Sequence, residues 1–396
     1  MRILFFSSYF YPYTSGITTY PLKLLTYLSK KHEITVLTFK HDNKLSDKEI
    51  VNQIKIVRLP YWFKISKGFI SPQSVIYFIK YVKNCDLLIL NIPNFEGILL
   101  ALFSKLFRIK IISIFHCLVF PDRSLFLKII TFFLNMSIYL QLSFSQMIIG
   151  YTQDYVNSTW VGRIFKKKIK IVLPPIEIHH SKQIKTRLIA SLQNKDIIIG
   201  YAGRVASEKG LEILIDAINI IRHSDPLRQN YSEACPSRIK LVIAGPYGKI
   251  VVGEMQYYQK IVKLLKTSQV TYELLGNLEG YNLVNFYKLI SILVLPSINQ
   301  TEAFGMVQVE AMLYGTPVVA SDLPGVRVPI QLTKMGIITP PKDSMAIAEA
   351  ITTIINNRSQ YTNKKLVLNA KLIFDIKKTY RFYDQLLKTM SLRGMK

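Results

Sequence analysis

Short runs of β-branched and aliphatic residues alternate along the chain with longer stretches in which apolar residues recur every three or four positions. The short runs are typical of buried strands, and the longer stretches are typical of amphipathic helices such as LEILIDAINIIRHS and MAIAEAITTIINN. The predicted strands are RILFFS, EITVLTF, IKIVRL, DLLILN, KIISIF, QMIIGY, IKIVL, DIIIGYAG, IKLVIAG, VTYELLG, SILVLPS and TPVVASD. Strands that alternate with helices indicate parallel sheets built from β-α-β units.

One break in this alternation divides the chain. Pro174 and Pro175 end the predicted strand IKIVL, and a polar stretch follows until a new strand opens at Asp196. The chain of 396 residues is also too long for one ordinary core. We therefore predict an α/β protein with two Rossmann-like domains, residues 1–175 and 195–375, that face each other across a cleft. Ligands of such sheets bind at the carboxyl ends of the strands.

The composition adds a strong positive charge, since 51 Lys and Arg residues stand against 25 Asp and Glu residues for a net charge of +26. Nucleic acid, an anionic membrane surface and a phosphorylated substrate are all compatible partners, and a general contribution to solubility is the alternative. Cys85, Cys117 and Cys235 have no metal-like or redox spacing, which fits a reducing cytosol.

The stretch most similar to a membrane span is 125–149. It is interrupted by Lys128, Asn135, Gln141 and Gln146. We therefore favour a buried or interfacial helix followed by a strand over a true span. The beginning of the chain, MRILFFSSYFYPYTSG, has a single basic residue and a short apolar stretch before a turn, so we interpret it as a first strand and loop and not as a secretory signal.

Two cations follow the predicted strand 197–201. Arg204 and Lys209 lie in the loop that leads to Gly210 and an amphipathic helix. Cations beside a helix N-terminus suit a diphosphate, because the free first-turn amides and the helix dipole also favour anions. The alternative is a pair of solvated loop charges.

Two glutamates flank the beginning of a helix in TEAFGMVQVEAMLYG. The helix is predicted to begin around 304–306 and to end at Gly315, with Glu302 in the preceding loop. Its first amides are unsatisfied donors, and Gly305 allows a ligand to approach the backbone closely. Glu310 lies beside the apolar stripe of this helix, where a vicinal diol such as a ribose would supply hydrogen bonds to the carboxylate. The alternatives are simple complementarity to the helix dipole for Glu302 and an exposed helix position for Glu310.

Two further positions are weaker candidates when taken alone. His116 closes the predicted strand KIISIF, and Gly16 lies in the first strand-to-helix loop. Strand ends of this kind are the usual place for functional side chains in an α/β sheet, although a single His there is more often structural.

Taken in order, these motifs resemble those of the retaining glycosyltransferases of family 4, which have the GT-B fold. The resemblance covers most of the chain in the segments YPYTSG, IFH, GRVASEKG, VIAGP, LLGNL, LVLPS, TEAFGMVQVEAMLYGTPVVASDLPG and MGIITPPKD. The block with seven residues between its two glutamates is the most specific of them.

The resemblance implies a site for a UDP- or GDP-linked sugar donor. Arg204 and Lys209 would bind the diphosphate and balance the charge of the leaving group, without a metal or another cofactor. Glu302 would lie near the donor sugar, and Glu310 would hold the ribose hydroxyls. Further donor contacts are implied for Gly16, His116, Gly245, Gly276, Asn277, Leu278, Phe304, Gly305 and Met306. Of these, His116 would contact the sugar near the reacting carbon, Gly16 the phosphate, and Gly245 and 276–278 the base. A last helix at about 378–396 would complete the first domain.

Some positions depart from the pattern of this family. Ser15 precedes Gly16 where many members have a second glycine, Asn91 stands where many have His, and 174–175 is Pro-Pro in place of Asn-Gly. A frequent Glu after the DLPG turn is absent, with Val328 and Pro329 nearby. These departures leave the cations and the glutamate pair intact and leave the choice of acceptor open.

We therefore predict a retaining glycosyltransferase that moves a hexose-type sugar to a glycan or lipid-linked acceptor, in cell-surface polysaccharide or glycolipid synthesis. It would act in the cytoplasm, with YWFKISKGF and 125–142 as candidates for docking on the anionic inner face of a membrane. A soluble acceptor is the alternative on that point. A different enzyme of the same fold, an epimerase or a phosphorylase, and a non-catalytic protein that binds polyanions or membranes are the alternatives for function. No nucleic-acid partner is expected.

Overall fold

A computed structural model describes residues 1–65, 68–120, 125–178, 197–223, 239–268 and 270–392. The chain divides into two compact units, of which the first combines Met1–Pro175 with Asp375–Lys396 and the second is Ile176–Phe374. Three features of the sequence analysis lie outside the described residues. They are the expected domain start at 195, Cys235, and the last four residues of the expected final helix.

The first unit is built around one large sheet. Its strands are β1 (Arg2–Phe6), β2 (Glu33–Phe39), β3 (Lys48–Val51), β4 (Ile54–Leu59), β7 (Leu87–Ile92), β8 (Lys110–Phe115), β9 (Met147–Gly150) and β10 (Ile169–Ile171), and a separate hairpin comprises β5 (Phe63–Ile65) and β6 (Gly68–Ile70). Within the described ranges the order is β10-β9-β8-β7-β1-β2-β4-β3, and only the β3–β4 pair is antiparallel. Every residue of β7 is buried, as expected for a parallel strand with helices on both faces.

The helices of the first unit are Gly16–Leu28, Ser74–Lys83, Gly97–Leu106, Leu125–Phe144, Gln153–Asn157, Trp160–Phe165 and Ile376–Leu392. The last of them packs on the first. The hydroxyls of Tyr20 and Tyr383 are hydrogen-bonded at 2.6 Å, and the rings of Tyr27 and Tyr380 stack with centroids 3.9 Å apart. The end of the chain is therefore part of the first core.

The second unit has an all-parallel sheet. Its strands are β11 (Ile197–Ala202), β12 (Ile239–Ala244), β13 (Thr271–Gly276), β14 (Ile292–Leu295), β15 (Val318–Ser321) and β16 (Gly336–Thr339), in the order β13-β12-β11-β14-β15-β16 over the described ranges. Its helices are Leu211–His223, Met255–Thr267, Gly280–Leu289, Met306–Leu313, Val328–Thr333, Ser344–Asn356, Arg358–Tyr361 and Lys364–Ile373. Ile199, Leu241 and Val294 are among the buried residues that form its core.

Each sheet contains a point where the strand order reverses. In the first unit, β1 lies between β2 and β7, and in the second, β11 lies between β12 and β14. The loops after the two central strands of such a sheet diverge to opposite faces and leave a crevice at the carboxyl edge, where ligands of open α/β sheets bind. In the second unit a ligand site is therefore expected at the loops after β11 and β14.

Candidate functional site

The loops that follow β11 and β14 pack directly against each other. The backbone N–H of Ile298 donates to the carbonyl oxygen of Glu208 at 3.0 Å. Gly210 lies between the loops in a left-handed conformation with φ of +63°, where a Cβ atom would collide with the carbonyl oxygen of Pro296. Only glycine fits this position, because both the backbone conformation and the close approach exclude a side chain.

Lys209 and Glu302 form an ion pair across these two loops. The pair joins Lys209 Nζ to Glu302 Oε2, and the two side chains are only 18% and 13% exposed. The other carboxylate oxygen, Oε1, accepts a hydrogen bond from the backbone N–H of Gly305 at 2.9 Å. Glu302 therefore holds both a cation and a donor at the N-terminus of the helix Met306–Leu313.

The structure differs from the sequence-based prediction for the backbone amides of residues 304–306. They were expected to be unsatisfied first-turn donors, but the Gly305 amide is bonded to Glu302. The physical reason is that a carboxylate is favoured at the positive end of a helix. Gly305 caps this helix with a φ of +72°, and a Cβ atom on it would meet Gln308 Nε2 at 2.8 Å. Phe304 is buried and Met306 is half-buried.

Arg204 also has a carboxylate partner. Its guanidinium Nη2 lies 2.7 Å from Glu208 Oε1, and both side chains are mostly shielded from solvent. Glu208 is not among the site residues predicted from the sequence, because the four-residue spacing from Arg204 predicts a pair only within a helix and this segment is a loop. Both predicted phosphate-binding cations are thus held in place by acidic side chains of the same two loops.

Glu310 is half-buried and bonded to a tyrosine from another helix. Tyr287, on the helix Gly280–Leu289, donates its hydroxyl to Glu310 Oε2 at 2.7 Å. Burial, together with the neighbouring carboxylate, holds the pKa of Tyr287 well above its usual range, so the hydroxyl keeps its proton. Nothing in the sequence pattern linked Tyr287 to Glu310, because the two residues belong to different helices.

Glycines end three adjacent strands at the same edge of the sheet. The N–H of Gly203 donates to the carbonyl oxygen of Ala244 at 2.8 Å, and the N–H of Gly245 donates to that of Gly276 at 2.7 Å. A Cβ atom on Gly245 would collide with the Gly203 backbone. The predicted base-contacting residues therefore lie at the carboxyl edge of β12 and β13, beside the strand that leads to Arg204. Asn277 is exposed there and donates to Glu279 Oε1 at 3.0 Å, and Leu278 is half-buried.

The other two predicted site residues lie in the first unit. Gly16 is exposed and begins the helix after β1, with Ser15 as its N-cap. His116 follows β8 and is 3% exposed. Its Nε2 is bonded to Asn91 Oδ1 and its Nδ1 to the hydroxyl of Tyr151.

The protonation of His116 follows from these contacts. Asn91 Nδ2 donates to Ser7 Oγ at 3.0 Å and to the Ile17 carbonyl oxygen at 2.9 Å, which turns its Oδ1 towards the imidazole. His116 Nε2 must then carry the hydrogen, and Nδ1 accepts from Tyr151. Burial lowers the pKa of His116 to about 3, so the ring is neutral with both nitrogens engaged.

Within the described ranges, no three or more His, Cys, Asp or Glu residues are grouped so that they could hold a metal ion. The charged groups at the carboxyl edge of the second sheet are instead arranged as cation–carboxylate pairs, which is a geometry suited to exchange with an anionic ligand.

Comparison with known families gives one match that covers the second unit. Residues 183–372 match the sequence model of the family described as glycosyl transferases group 1.

Curated relatives match similar lengths of the chain. A D-inositol 3-phosphate glycosyltransferase of Jonesia denitrificans is 27% identical over 168 residues, which cover 42% of this chain and 36% of that protein. An uncharacterized glycosyltransferase of Methanocaldococcus jannaschii is 30% identical over 184 residues, 46% of this chain and 42% of that protein. The lipopolysaccharide 1,2-N-acetylglucosaminetransferase of Salmonella typhimurium is 32% identical over 130 residues, which cover 33% of this chain and 31% of that protein. Each match thus spans less than half of the relative.

Solved structures match over the whole chain. Anabaena HepE, crystallised in complex with UDP-glucose, superposes with a TM-score of 0.76 at 19% identity over 98% of this chain and 100% of that one. Sucrose-phosphate synthase from Thermosynechococcus elongatus gives a TM-score of 0.75 at 18% identity, over 99% of each chain. At this level of identity the likeness shows the fold, and the predicted GT-B class with its two Rossmann-like domains is confirmed.

Proposed function

We propose, from the premise that residues 183–372 belong to the glycosyl transferases group 1 family, that this protein transfers a hexose-type sugar with retention of configuration. The donor is a UDP- or GDP-linked sugar, and the acceptor is a glycan or a lipid-linked sugar of cell-surface polysaccharide or glycolipid synthesis. The observation that carries this proposal is the pair of Lys209 and Glu302 at the switch point of the second sheet, beside the N-terminus of the helix Met306–Leu313.

The first step is capture of the diphosphate by exchange of partners. Its oxygens replace the carboxylates that now pair with Arg204 and Lys209. The Gly305 amide, which donates to Glu302, is the third donor available to the same anion. Two cations and a helix N-terminus supply the positive potential that a doubly charged group requires.

The second step is stabilisation of the leaving group. As the bond between the anomeric carbon and the diphosphate oxygen breaks, negative charge grows on that oxygen. Fixed cations at this point stabilise the transition state more than the ground state, so the reaction proceeds without a metal. This contribution of Arg204 and Lys209 is the basis for proposing a metal-independent enzyme.

The third step is the transfer itself. The acceptor hydroxyl forms its bond to the anomeric carbon on the face that the diphosphate leaves, and its proton passes to the departing phosphate oxygen. Glu302, once exchanged from Lys209, is free to accept hydrogen bonds from donor-sugar hydroxyls. Glu310, held by Tyr287, accepts those of the ribose.

The predicted contact between His116 and the donor sugar stays a prediction. Both ring nitrogens of His116 are engaged by Asn91 and Tyr151 in a buried network. We propose that its part in the reaction is to order the carboxyl edge of the first sheet as a neutral group. We also propose a cytoplasmic location, which the buried free thiol of Cys85 supports.

A donor panel tests the proposal. The purified protein is incubated with UDP- and GDP-sugars, and release of UDP or GDP is measured with and without saccharide acceptors, with NMR used to identify the products. Release from at least one donor is expected, together with an α-linked product from an α-linked donor. Release should be lost in Lys209→Ala and kept in Lys260→Ala, a lysine of the same unit whose side chain is 61% exposed. Epimerised donor, an inverted product or no release from any donor would contradict the proposal.

A further inference from the structure

The helix Leu125–Phe144 turns an apolar face to solvent. Its exposed large side chains are Leu125, Phe126, Ile129, Phe132, Phe133, Met136 and Tyr139. They recur at spacings of three and four residues, so they form one stripe along nearly four turns. Leu125 is 74% exposed and Phe132 61%, which is far more than packing against the domain would leave. We refer to these seven residues as the 125–139 face.

The buried side of this helix combines the apolar residues Ile138 and Leu142 with three polar ones. Thr131, Ser137 and Gln141 are all buried. Ser137 Oγ donates to the carbonyl oxygen of Phe95 at 2.6 Å, and Gln141 Nε2 donates to that of Asn94 at 2.9 Å. A surface helix of a globular protein normally has polar side chains on its outer side, whereas the outer side of this helix is mostly apolar. The 125–139 face therefore has a role other than packing the core of this unit.

Basic residues border the 125–139 face at its carboxyl end. Tyr139 contacts Phe165, with ring centroids 5.7 Å apart, and the exposed Lys166 and Lys167 follow directly. Lys168 Nζ donates to the carbonyl oxygen of Ser143, the penultimate residue of the helix, at 2.6 Å. Burial, and also the nearby charge of Lys105, lowers the pKa of Lys168, which places Lys105 in the same cluster.

Three described segments at the face carry positive charge only. They contain six Lys or Arg residues and no Asp or Glu. The segments are the helix Leu125–Phe144, the adjoining residues 160–168, and the helix Gly97–Leu106, which packs on Leu125–Phe144. Leu102 and Leu106 extend the exposed apolar surface on the last of these helices. Apolar side chains with cations beside them are complementary to a surface that is apolar inside and anionic outside.

We propose that the 125–139 face docks on an anionic phospholipid bilayer, with the helix lying in the interface and Lys166 and Lys167 contacting lipid head groups. A second copy of the chain is a poorer occupant, because a twofold interface would bring two basic borders together. The helix is long and apolar enough to cross a membrane by length and composition. Its bonds to Asn94 and Phe95, however, tie its second half to the loop after β7. This proposal is independent of the donor site and of the sugar that is transferred.

Vesicle flotation of the full-length protein tests the proposal. The probes are vesicles of phosphatidylcholine alone and vesicles that also contain phosphatidylglycerol. The wild type is expected to float with the anionic vesicles, and binding should weaken as salt rises. The triple variant Phe126→Gln/Ile129→Gln/Phe133→Gln should bind about 100-fold more weakly. The double variant Lys166→Gln/Lys167→Gln should bind anionic vesicles about tenfold more weakly than the wild type, with no change on vesicles of phosphatidylcholine alone.

The matched control replaces two equally exposed leucines of the second unit. Leu368 and Leu372 are 60% and 69% exposed, and Leu368→Gln/Leu372→Gln should float like the wild type. Circular dichroism shows that each variant is folded. Flotation of the triple variant at the level of the wild type would overturn the proposal, as would absence of flotation on anionic vesicles. A sedimentation shift that the triple variant abolishes, without vesicle binding, would assign the face to self-association. Resistance of the bound wild type to alkaline carbonate would assign it to a span.

Discussion

Lys209 and Glu302, which are 93 residues apart in the chain, form an ion pair between two neighbouring loops of the second sheet. Glu302 also holds the Gly305 amide at the beginning of the next helix. One carboxylate therefore engages the cation and the backbone donor that a phosphate would require. Arg204 is paired with Glu208 in the same way, so our proposal requires an anionic ligand to replace these carboxylates.

Substitution of Glu310 separates recognition of the ribose from that of the diphosphate. Glu310→Gln keeps an oxygen for the Tyr287 hydroxyl but removes the charge that accepts hydrogen bonds from a diol. We expect the affinity for UDP or GDP to fall about tenfold and the affinity for inorganic pyrophosphate to stay constant, because only the nucleotides carry a ribose. Isothermal titration calorimetry measures both. Glu349→Gln, at an exposed helix position of the same unit, is the control. An equal loss of affinity for pyrophosphate would contradict the assignment of Glu310 to the ribose.

Replacement of Gly305 tests how closely the residues at the beginning of the helix Met306–Leu313 are packed. In Gly305→Ala, an alanine must adopt the positive φ of this position, which is unfavourable for it. Its Cβ atom would also lie too close to Leu295 and Gln308. Gly253 has a φ of +80° with nothing within 4 Å of its Cβ position, so Gly253→Ala has the backbone strain alone. We expect unfolding free energies lower by about 1–2 kcal/mol for Gly253→Ala and by about 2–4 kcal/mol for Gly305→Ala, measured by urea denaturation. Equal losses would mean that the helix start adapts to a side chain.

The stability of the first unit should depend on pH through His116. Its pKa is lowered to about 3 in the folded protein from 6.5, because burial disfavours the charged ring. Between these values the unfolded chain binds the extra proton, so stability is full above pH 6.5 and falls as the pH is lowered towards 3. The slope contributed by one residue is at most about 1.4 kcal/mol per pH unit.

His116→Gln should remove this contribution. We expect a shallower loss of unfolding free energy between pH 7 and pH 4 than in the wild type, measured by denaturant titration at each pH. His223→Gln, at an exposed position on the last turn of its helix, should retain the slope of the wild type. Parallel curves for the wild type and His116→Gln would show that His116 titrates normally.

The buried contact of Tyr20 with Tyr383 should join the last helix to the first core. Tyr383→Phe leaves the Tyr20 hydroxyl without this partner and should lower the unfolding free energy by about 1–3 kcal/mol. The double variant Tyr20→Phe/Tyr383→Phe removes both polar groups and should be less destabilised than the sum of the single variants. A double-mutant cycle measures the difference. Additive effects would show that the hydroxyls do not stabilise each other.

Much of the fold could be predicted from the pattern of apolar residues. The strands of both parallel sheets are covered on two faces, so they appear in the sequence as continuous apolar runs. All twelve predicted strands are present, and residues 183–372 match the sequence model of the glycosyl transferases group 1. The strands that were missed are short or belong to edges. β3 has the sequence KEIV and pairs antiparallel at the sheet edge, β5 and β6 have three residues each, and β16 has four.

The site could be predicted less completely. Strand ends located Arg204, Lys209 and Glu302 in loops at one edge of a sheet, but their pairing depends on β11 lying beside β14. No local pattern records which strands are neighbours. The same limit applies to Tyr287 beside Glu310 and to Asn91 beside His116, because each pair joins separate elements.

Calorimetric titration of UDP and GDP into the wild type and two variants tests the central claim most directly. With whichever nucleotide binds, Lys209→Ala should lose about 10- to 100-fold in affinity, because a charge-assisted contact to the diphosphate is removed. Glu302→Gln should bind the same nucleotide more tightly than the wild type, because the carboxylate that competes for Lys209 has lost its charge. Absence of binding by the wild type, or affinities unchanged by both substitutions, would contradict the account.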